Sequence, residues 1–254
     1  MSTMAALLHR DTRVARRELK FFFLRVGIQP ILFTFIFGYV MPRLGIVQGG
    51  YANALLPGIL ALSMTLSGMQ AVALPLVVEF GWTKEIEDRL LAPISIMGVA
   101  VEKIMVGIIQ AVIAGLFVLP LAWLMMGTHL SLQPENFFLL ISVALITGWL
   151  FAALGMVMGT IVEPQQIGLM FNVLLGPMIF FGCAYYPWAS LQVLPWFQKF
   201  VLINPLVYAS EGFRAALTPQ LPHMPLWLIF GGLVGYCALF TYLGLRQFER
   251  RSLE

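Results

Sequence analysis

The chain has 254 residues, of which 60% are apolar and 11% charged, and its net charge is +3. Soluble domains carry about 25% charged residues, and the mean hydropathy of +0.89 is correspondingly high. This composition excludes an ordinary soluble enzyme and indicates a protein embedded in a membrane. The two cysteines, Cys183 and Cys237, lie in no Cys-x-x-Cys or Cys/His pattern, so neither a disulfide framework nor a metal site is predicted.

Six apolar stretches approach or exceed the roughly 20 residues that a helix needs to cross the hydrocarbon core. We predict an all-α membrane protein, one domain over 1–254, with spans near 24–42, 53–78, 96–126, 137–162, 166–186 and 225–245. The third span carries Glu102 and Lys103 in its first turns, so its start is expected to project into water. The basic N-terminus could also open a signal peptide, but its apolar run is too long, and we expect it to be retained.

Lysine and arginine set the orientation of the spans, because cytoplasmic loops carry an excess of them. With both termini in the cytoplasm, twelve of the fifteen lie on that side, and the other side holds only Arg43, Lys199 and Arg214. We therefore expect cytoplasmic termini. Five tryptophans fall near predicted membrane boundaries: Trp82 at the inner one, and Trp123, Trp188, Trp196 and Trp227 at the outer one.

Residues 4–20 show the pattern of a basic amphipathic helix. One side of this helix carries Met4, Leu8, Ala15, Leu19 and Phe22, and the opposite side carries Arg10, Arg13, Arg17 and Lys20. We predict that this helix lies on the anionic cytoplasmic leaflet, in contact with membrane lipids. The alternative is an ordinary basic flank of the first span.

The segment GWTKEIEDRLLAPIS, residues 81–95, concentrates charge in a mostly apolar chain. Thr83 can cap a short helix, acidic residues suit its N-terminal end, and Pro93 ends it. An apolar ridge at every fourth residue favours a docking helix, and the alternative is a solvated loop. The candidate docking residues are Trp82, Thr83, Lys84, Glu85, Ile86, Glu87, Asp88, Arg89, Leu90 and Leu91, of which Trp82, Ile86 and Leu90 form the ridge.

Residues 187–222 contain five prolines, which prevent a crossing, and too many aromatic residues for a plain loop. Backbone at membrane depth must be satisfied by protein or water, so we predict short helices at or partly within the outer interface that shape an outer gate. Glu211 and Arg214, three residues apart, are expected to pair. The candidate gate residues are Trp188, Trp196, Asn204, Pro205, Tyr208, Glu211 and Arg214.

The order of these features resembles the membrane subunit of type-2 ABC exporters, which include permeases for drugs, polysaccharides and lipo-oligosaccharides. The resemblance covers essentially the whole chain and is most specific in LLAPIS (Leu90–Ser95) and NPLVYASEGFR (Asn204–Arg214). It implies a coupling helix at 83–91 that seats in a cytoplasmic ATPase, an N-terminal helix that contacts the same ATPase, and extracellular re-entrant helices at 187–217. The short turn Glu163–Gln166 departs from it by leaving little room for a second docking element.

The chain lacks a P-loop, because Lys20, Lys84, Lys103 and Lys199 follow Leu, Thr, Glu and Gln instead of glycine. We expect no enzymatic activity of its own and no cofactor or metal bound by this chain, with ATP and Mg²⁺ on a partner ATPase subunit. The predicted function is the permease subunit of an ATP-driven exporter of an amphipathic, lipid-linked, glycan-like or drug-like substrate in the bacterial cytoplasmic (inner) membrane. No nucleic-acid partner is predicted.

Two alternatives remain, an ion-driven secondary transporter and a non-transporting membrane scaffold. Ion coupling favours ionisable residues deep inside spans, whereas Glu79, Glu102, Lys103 and Glu163 lie near predicted cytoplasmic ends.

Six spans are too few to surround a large solute comfortably, so we expect a homodimer with the pore at its two-fold interface. Two Gly-x-x-x-Gly motifs, Gly155/Gly159 and Gly231/Gly235, permit close helix approach within the chain or between copies.

Overall fold

The computed structural model describes residues 28, 30–45, 51–83, 95–126 and 134–253. Helices dominate these ranges, and no strand occurs in them. In chain order the helices are α1 (30–43, π-helical over Thr34–Val40), α2 (Tyr51–Val78), α3 (Ile96–Met126), α4 (Pro134–Ile161), α5 (Ile167–Phe181), α6 (Pro195–Phe200), α7 (Pro205–Leu217) and α8 (Leu226–Leu253). A π-helical turn, Glu79–Thr83, continues α2, and the 3₁₀ turns Trp188–Val193 and Val201–Ile203 flank α6.

Four of the described helices are long and apolar enough to cross a membrane: Asn53–Gly81, Ile96–Ala122, Asn136–Ile161 and Leu226–Ser252. They correspond to the second, third, fourth and sixth predicted spans, and the last helix runs beyond the predicted boundary at 245. Helix α5 has 15 residues, or roughly 22 Å at 1.5 Å per residue, which is shorter than a typical hydrocarbon core. The described part of α1 is also short, so the six-span count stays a prediction.

Helices α2 and α4 pack through small residues, because both are apolar on all sides and hydrophobicity alone does not select a contact face. A Cβ at Gly155 would lie 2.4 Å from the Met69 carbonyl oxygen, and one at Gly159 would lie 2.8 Å from Leu76 Cβ. The Gly155/Gly159 motif therefore serves packing within the chain. A Cβ at Gly231 or Gly235 would meet no described atom within 4 Å.

The contacts also fix the directions of the long helices. The residue order of the Gly155 and Gly159 contacts makes α2 and α4 parallel. Trp149 Nε1 donates to Thr241 Oγ1 at 3.1 Å and Thr160 Oγ1 donates to Gln247 Oε1 at 3.3 Å, so α8 runs in the same direction as α4. Helix α3 is antiparallel to α2, because Gly107 lies against Val72 whereas Gly115, further along α3, lies against Met64, earlier in α2. Helices α2, α4 and α8 thus begin at one end of the bundle, which we call the 187–217 end, and finish at the other, the 79–83 end.

Helix α2 lies at the centre of the bundle. Most of its side chains are buried, and it contacts α3, α4 and α7. Trp149, the tryptophan that lies inside a predicted span, makes a hydrogen bond to α8 and is 46% exposed.

Candidate functional site

Helix α7 begins where its sequence predicts. The Asn204 side chain accepts a hydrogen bond from Leu206 N at 3.0 Å, and Pro205 occupies the first helical position, both of which are typical helix-start features. Asn204 Nδ2 also donates to the Met178 carbonyl at 2.8 Å. The cap therefore starts α7 and joins it to α5.

All thirteen residues of α7 are buried. A Cβ at Gly212 would lie 2.9 Å from Val143 Cγ1 on α4 and 3.2 Å from Ile229 Cγ2 on α8, so α7 sits between these helices at the 187–217 end. Thirteen residues extend roughly 20 Å. Helix α7 is therefore too short to span, as the prolines of the 187–222 segment indicate, and it is enclosed by protein instead of lying on the surface.

The predicted pair between Glu211 and Arg214 is confirmed. Both side chains are fully buried, and Arg214 Nη1 donates to Glu211 Oε1. The carboxylate also accepts from Trp188 N at 2.9 Å and from Met224 N at 2.8 Å. Glu211 thus fixes the backbone on both sides of the 188–217 segment.

The Arg214 guanidinium connects α7 to two other elements. Nη2 donates to the Cys183 carbonyl at 3.1 Å and to the Ala54 carbonyl at 3.3 Å. Cys183 has φ 51°, in the left-handed region that non-glycine residues adopt uncommonly. The arginine therefore binds both the turn after α5 and the first turns of α2. In this buried site its hydrogen bonds are stronger than they would be in water.

The turn after α5 presses directly on α2. A Cβ at Gly58 would lie 1.7 Å from the Ala184 carbonyl oxygen, so only glycine permits this approach. Nearby, Tyr51 Oη donates to the Tyr185 carbonyl at 2.9 Å. The sequence analysis did not predict these contacts. The run of small residues Gly182-Cys183-Ala184 is the local feature that is consistent with such a close approach.

Two aromatic gate residues also hold the segment together. Trp188 Nε1 donates to the Gln198 carbonyl at 3.1 Å, and Tyr208 Oη donates to the Leu202 carbonyl at 3.0 Å. Burial raises the pKa of Tyr208 above its usual value, and the neighbouring Tyr236 adds to this increase.

Six of the seven candidate gate residues belong to one packed unit, which we call the α7 unit: Trp188, Asn204, Pro205, Tyr208, Glu211 and Arg214. The seventh, Trp196, is 69% exposed and packs edge-on against Phe197 with ring centroids 5.5 Å apart. Its exposure is typical of an interfacial aromatic ring.

The family model described as ABC-2 type transporter matches residues 3–218, most of the chain. The chain belongs to the ABC-2 type transporter family. No curated protein matches it. As an ABC-2 type transporter it is a multi-pass membrane protein of the permease kind, and proteins of this family typically work with an ATPase subunit. The matched range includes both the 83–91 and the 187–217 segments.

Most docking candidates of this ABC-2 type transporter lie outside the described residues. The backbone of Trp82 and Thr83 forms the end of the π-helical turn, whereas Lys84 to Leu91 are not described. The cations of the N-terminal helix, Arg10, Arg13, Arg17 and Lys20, also lie outside the described residues. The coupling helix and the interfacial helix therefore stay predictions.

The 79–83 end shows a buried ion pair that the sequence did not indicate. Lys103 Nζ lies 2.6 Å from Glu79 Oε1, with both side chains largely buried, and Glu102 is fully buried. We expected the start of α3 to project into water, but at Glu102 and Lys103 it packs inside the protein. The reason is that Glu79, 24 residues earlier, compensates the lysine charge. Glu163 lies exposed in the short turn before α5.

Proposed function

We propose that this chain is the permease subunit of an ATP-driven exporter in the bacterial inner membrane. It moves an amphipathic, lipid-linked, glycan-like or drug-like substrate and is driven by a separate ATPase subunit. The observation that carries this proposal is the family match over residues 3–218, which spans both proposed working segments. ATP and Mg²⁺ bind to the partner, since no lysine of this chain lies in a P-loop.

In this proposal the ATPase subunit binds the 83–91 coupling helix on the cytosolic side, and the N-terminal helix contacts the same subunit. The excess of lysine and arginine on one predicted side supports cytoplasmic termini, and an even number of spans, such as the proposed six, agrees with that orientation. Two copies form the pore at a two-fold interface. The partner's higher affinity for the ATP-bound, closed arrangement biases the equilibrium between the two states.

The α7 unit is the proposed outer gate, and the short helices of 187–217 are the proposed re-entrant helices. Its support is that Glu211 and Arg214 bind Trp188, Cys183, Ala54 and Met224 at once. These residues belong to different elements at the 187–217 end. If one of these elements moves, the Glu211–Arg214 pair either moves with it or loses its hydrogen bond to that element. Such a unit stays closed until the helices around it move together.

Co-purification tests the proposal. The tagged chain should recover an ATPase with Walker motifs, and the complex should hydrolyse ATP. Leu90→Ala removes the end of the docking ridge and should reduce the recovered ATPase about tenfold, or about 1.4 kcal/mol of binding free energy. Leu124→Ala, at an exposed leucine of α3, is the matched control. Recovery of no ATPase by the unchanged chain, or equal recovery by both variants, would contradict the proposal.

The substrate class is tested by stimulation of ATP hydrolysis in proteoliposomes. A lipid-linked oligosaccharide and the amphipathic cation ethidium represent the two proposed classes. A glycan or lipid exporter should respond to the first, and a drug exporter to the second. A complex that responds to neither would contradict both classes.

An ion-driven carrier is the second candidate, because Glu79, Glu102 and Lys103 are buried and buried ionisable residues in membrane proteins are often functional. Against it, Glu79 and Lys103 compensate each other. Uptake into inside-out vesicles separates the two candidates. Transport of the stimulating compound that requires ATP and survives collapse of the proton gradient supports the exporter, and the reverse dependence supports the carrier.

A further inference from the structure

The π-helical turn Glu79–Thr83 immediately precedes the predicted coupling segment and contacts three other parts of the chain. Glu79 binds Lys103 on α3, Gly81 contacts the turn after α4, and Phe80 contacts α8. Single-turn π-helices are frequent at functional sites. We call this turn, with those three contacts, the 79–83 joint.

The ion pair closes the base of the coupling loop. Glu79 precedes the undescribed residues 84–94 and Lys103 follows them, so their 2.6 Å contact ties the two ends of the loop together. Both side chains are largely buried, and removing either partner would leave the other charge in a poorly solvated site. The helical segments that flank residues 84–94 are therefore joined to each other through Glu79 and Lys103.

Helix α8 holds the joint through Phe80. The Phe80 and Phe248 rings meet edge-on with centroids 5.6 Å apart, and the Arg251 guanidinium carbon lies 5.0 Å from the Phe80 ring centroid, within cation–π range. Arg251 Nη1 also donates to the Thr160 carbonyl at 2.5 Å. The last carbonyls of a helix lack partners within it, so one arginine satisfies the end of α4 while it covers Phe80.

The third contact leaves no room for a side chain at position 81. A Cβ at Gly81 would lie 2.2 Å from Pro164 Cγ, so the turn sits directly against the 163–166 turn. Together the contacts attach one short turn to α3, to the end of α4 and to α8.

We propose that the 79–83 joint is a rigid transmission element and that Arg251 is its positioning residue. Movement of the coupling segment then displaces the ends of α2, α3, α4 and α8 together instead of bending the turn. Arg251 acts through Phe80 and Thr160 and touches neither nucleotide nor substrate. This inference rests on the proposed function for the force that moves the segment.

The test compares hydrogen exchange of the co-purified complex with and without ATP and vanadate. In the unchanged complex, exchange of peptides from both 84–94 and 188–203 should change at least threefold. Arg251→Gln should keep the change at 84–94 and lose it at 188–203. Arg251→Lys should restore part of it, since lysine keeps a cation and a donor but lacks the planar group.

Two further variants sharpen this test. Arg246→Gln removes a cation from the exposed surface of the same helix, and it should behave like the unchanged chain. Phe80→Leu keeps an apolar side chain but removes the ring, and it should reproduce Arg251→Gln, which covers the case in which Arg251→Gln does not fold. A normal response at 188–203 in both Arg251→Gln and Phe80→Leu would overturn the inference.

Failure of the proposed function gives a different result. If the unchanged chain binds no ATPase, or ATP changes exchange nowhere, the exporter proposal fails, and the joint is then judged in the nucleotide-free protein. There, amides of 79–83 should exchange at least threefold faster in Arg251→Gln than in Arg246→Gln. Equal rates would overturn the joint itself.

Discussion

Replacing Arg214 with glutamine is expected to be strongly destabilising. The change leaves the Glu211 carboxylate buried without its counter-charge, and both side chains are 0% exposed. It also removes the donor that serves the Cys183 and Ala54 carbonyls. The glutamine side chain is shorter and cannot reach all three acceptors at once.

The magnitude follows from these contacts. Removing one partner of a buried ion pair costs about 3–5 kcal/mol, and the total stability of a domain is about 5–15 kcal/mol. The two backbone amides of Trp188 and Met224 still bind the carboxylate, which keeps the expected loss within that range. For a chain of this size 1 kcal/mol corresponds to about 2–4 °C in Tm. Arg214→Gln should therefore lower Tm by about 6–20 °C.

Thermal unfolding of the detergent-purified protein, followed by tryptophan fluorescence, measures this change. Lys199→Gln is the matched control because it removes an exposed cation from the same segment, and exposed charges contribute little. The double variant Glu211→Gln with Arg214→Gln should lose less stability than the sum of the single variants, by at least about 1 kcal/mol. An Arg214→Gln midpoint within about 2 °C of the Lys199→Gln midpoint would refute the reasoning.

Four further single substitutions are tested by the same Tm measurement. Gly58→Ala forces a Cβ into the backbone of Ala184 and should cost at least about 1–3 kcal/mol. Gly231→Ala meets no described atom within 4 Å and should be neutral or gain about 0.5–1 kcal/mol. Equal unfolding midpoints for the two variants would contradict the close contact between Gly58 and Ala184. Glu79→Gln should lower the free energy of unfolding by about 3–5 kcal/mol. Adding Lys103→Gln to this variant should recover at least about 1 kcal/mol of that loss. Strictly additive losses would show that the two residues are not coupled. Asn204→Ala should cost about 1 kcal/mol through the lost cap alone, and no change would mean that the cap is dispensable.

The sequence predicts well those features that depend on neighbouring residues. The long apolar runs predict the four described helices of spanning length, and Asn204-Pro205 predicts the start of α7. The spacing of Glu211 and Arg214 predicts their pair. In each case the interacting groups lie within one helix or at its end. A few neighbouring residues of the sequence are therefore enough to predict the interaction.

Contacts between distant residues are what the sequence did not predict. Glu79 and Lys103 read as boundary residues, because nothing in their surroundings shows that α2 and α3 bring them together. Gly58 and Gly231 both look like ordinary glycines of apolar helices, yet one touches backbone and the other is open. Helices that are apolar on all sides carry no periodicity that separates protein contacts from lipid contacts.

Among the described residues, the two buried ion pairs lie at opposite ends of α2, so α2 connects the two ends of the bundle. Arg214 binds the Ala54 carbonyl in the first turns of α2, and Glu79 follows its last turn. Ala54 and Glu79 are separated by roughly 37 Å of helix at 1.5 Å per residue. Pro57 and Pro75 lie inside α2 near those two ends, and proline is a common cause of helix kinks. In the proposed mechanism, α2 carries a movement of the 79–83 joint to the α7 unit most directly if the stretch between these prolines stays straight. The close contact of Gly155 with the Met69 backbone supports that stretch.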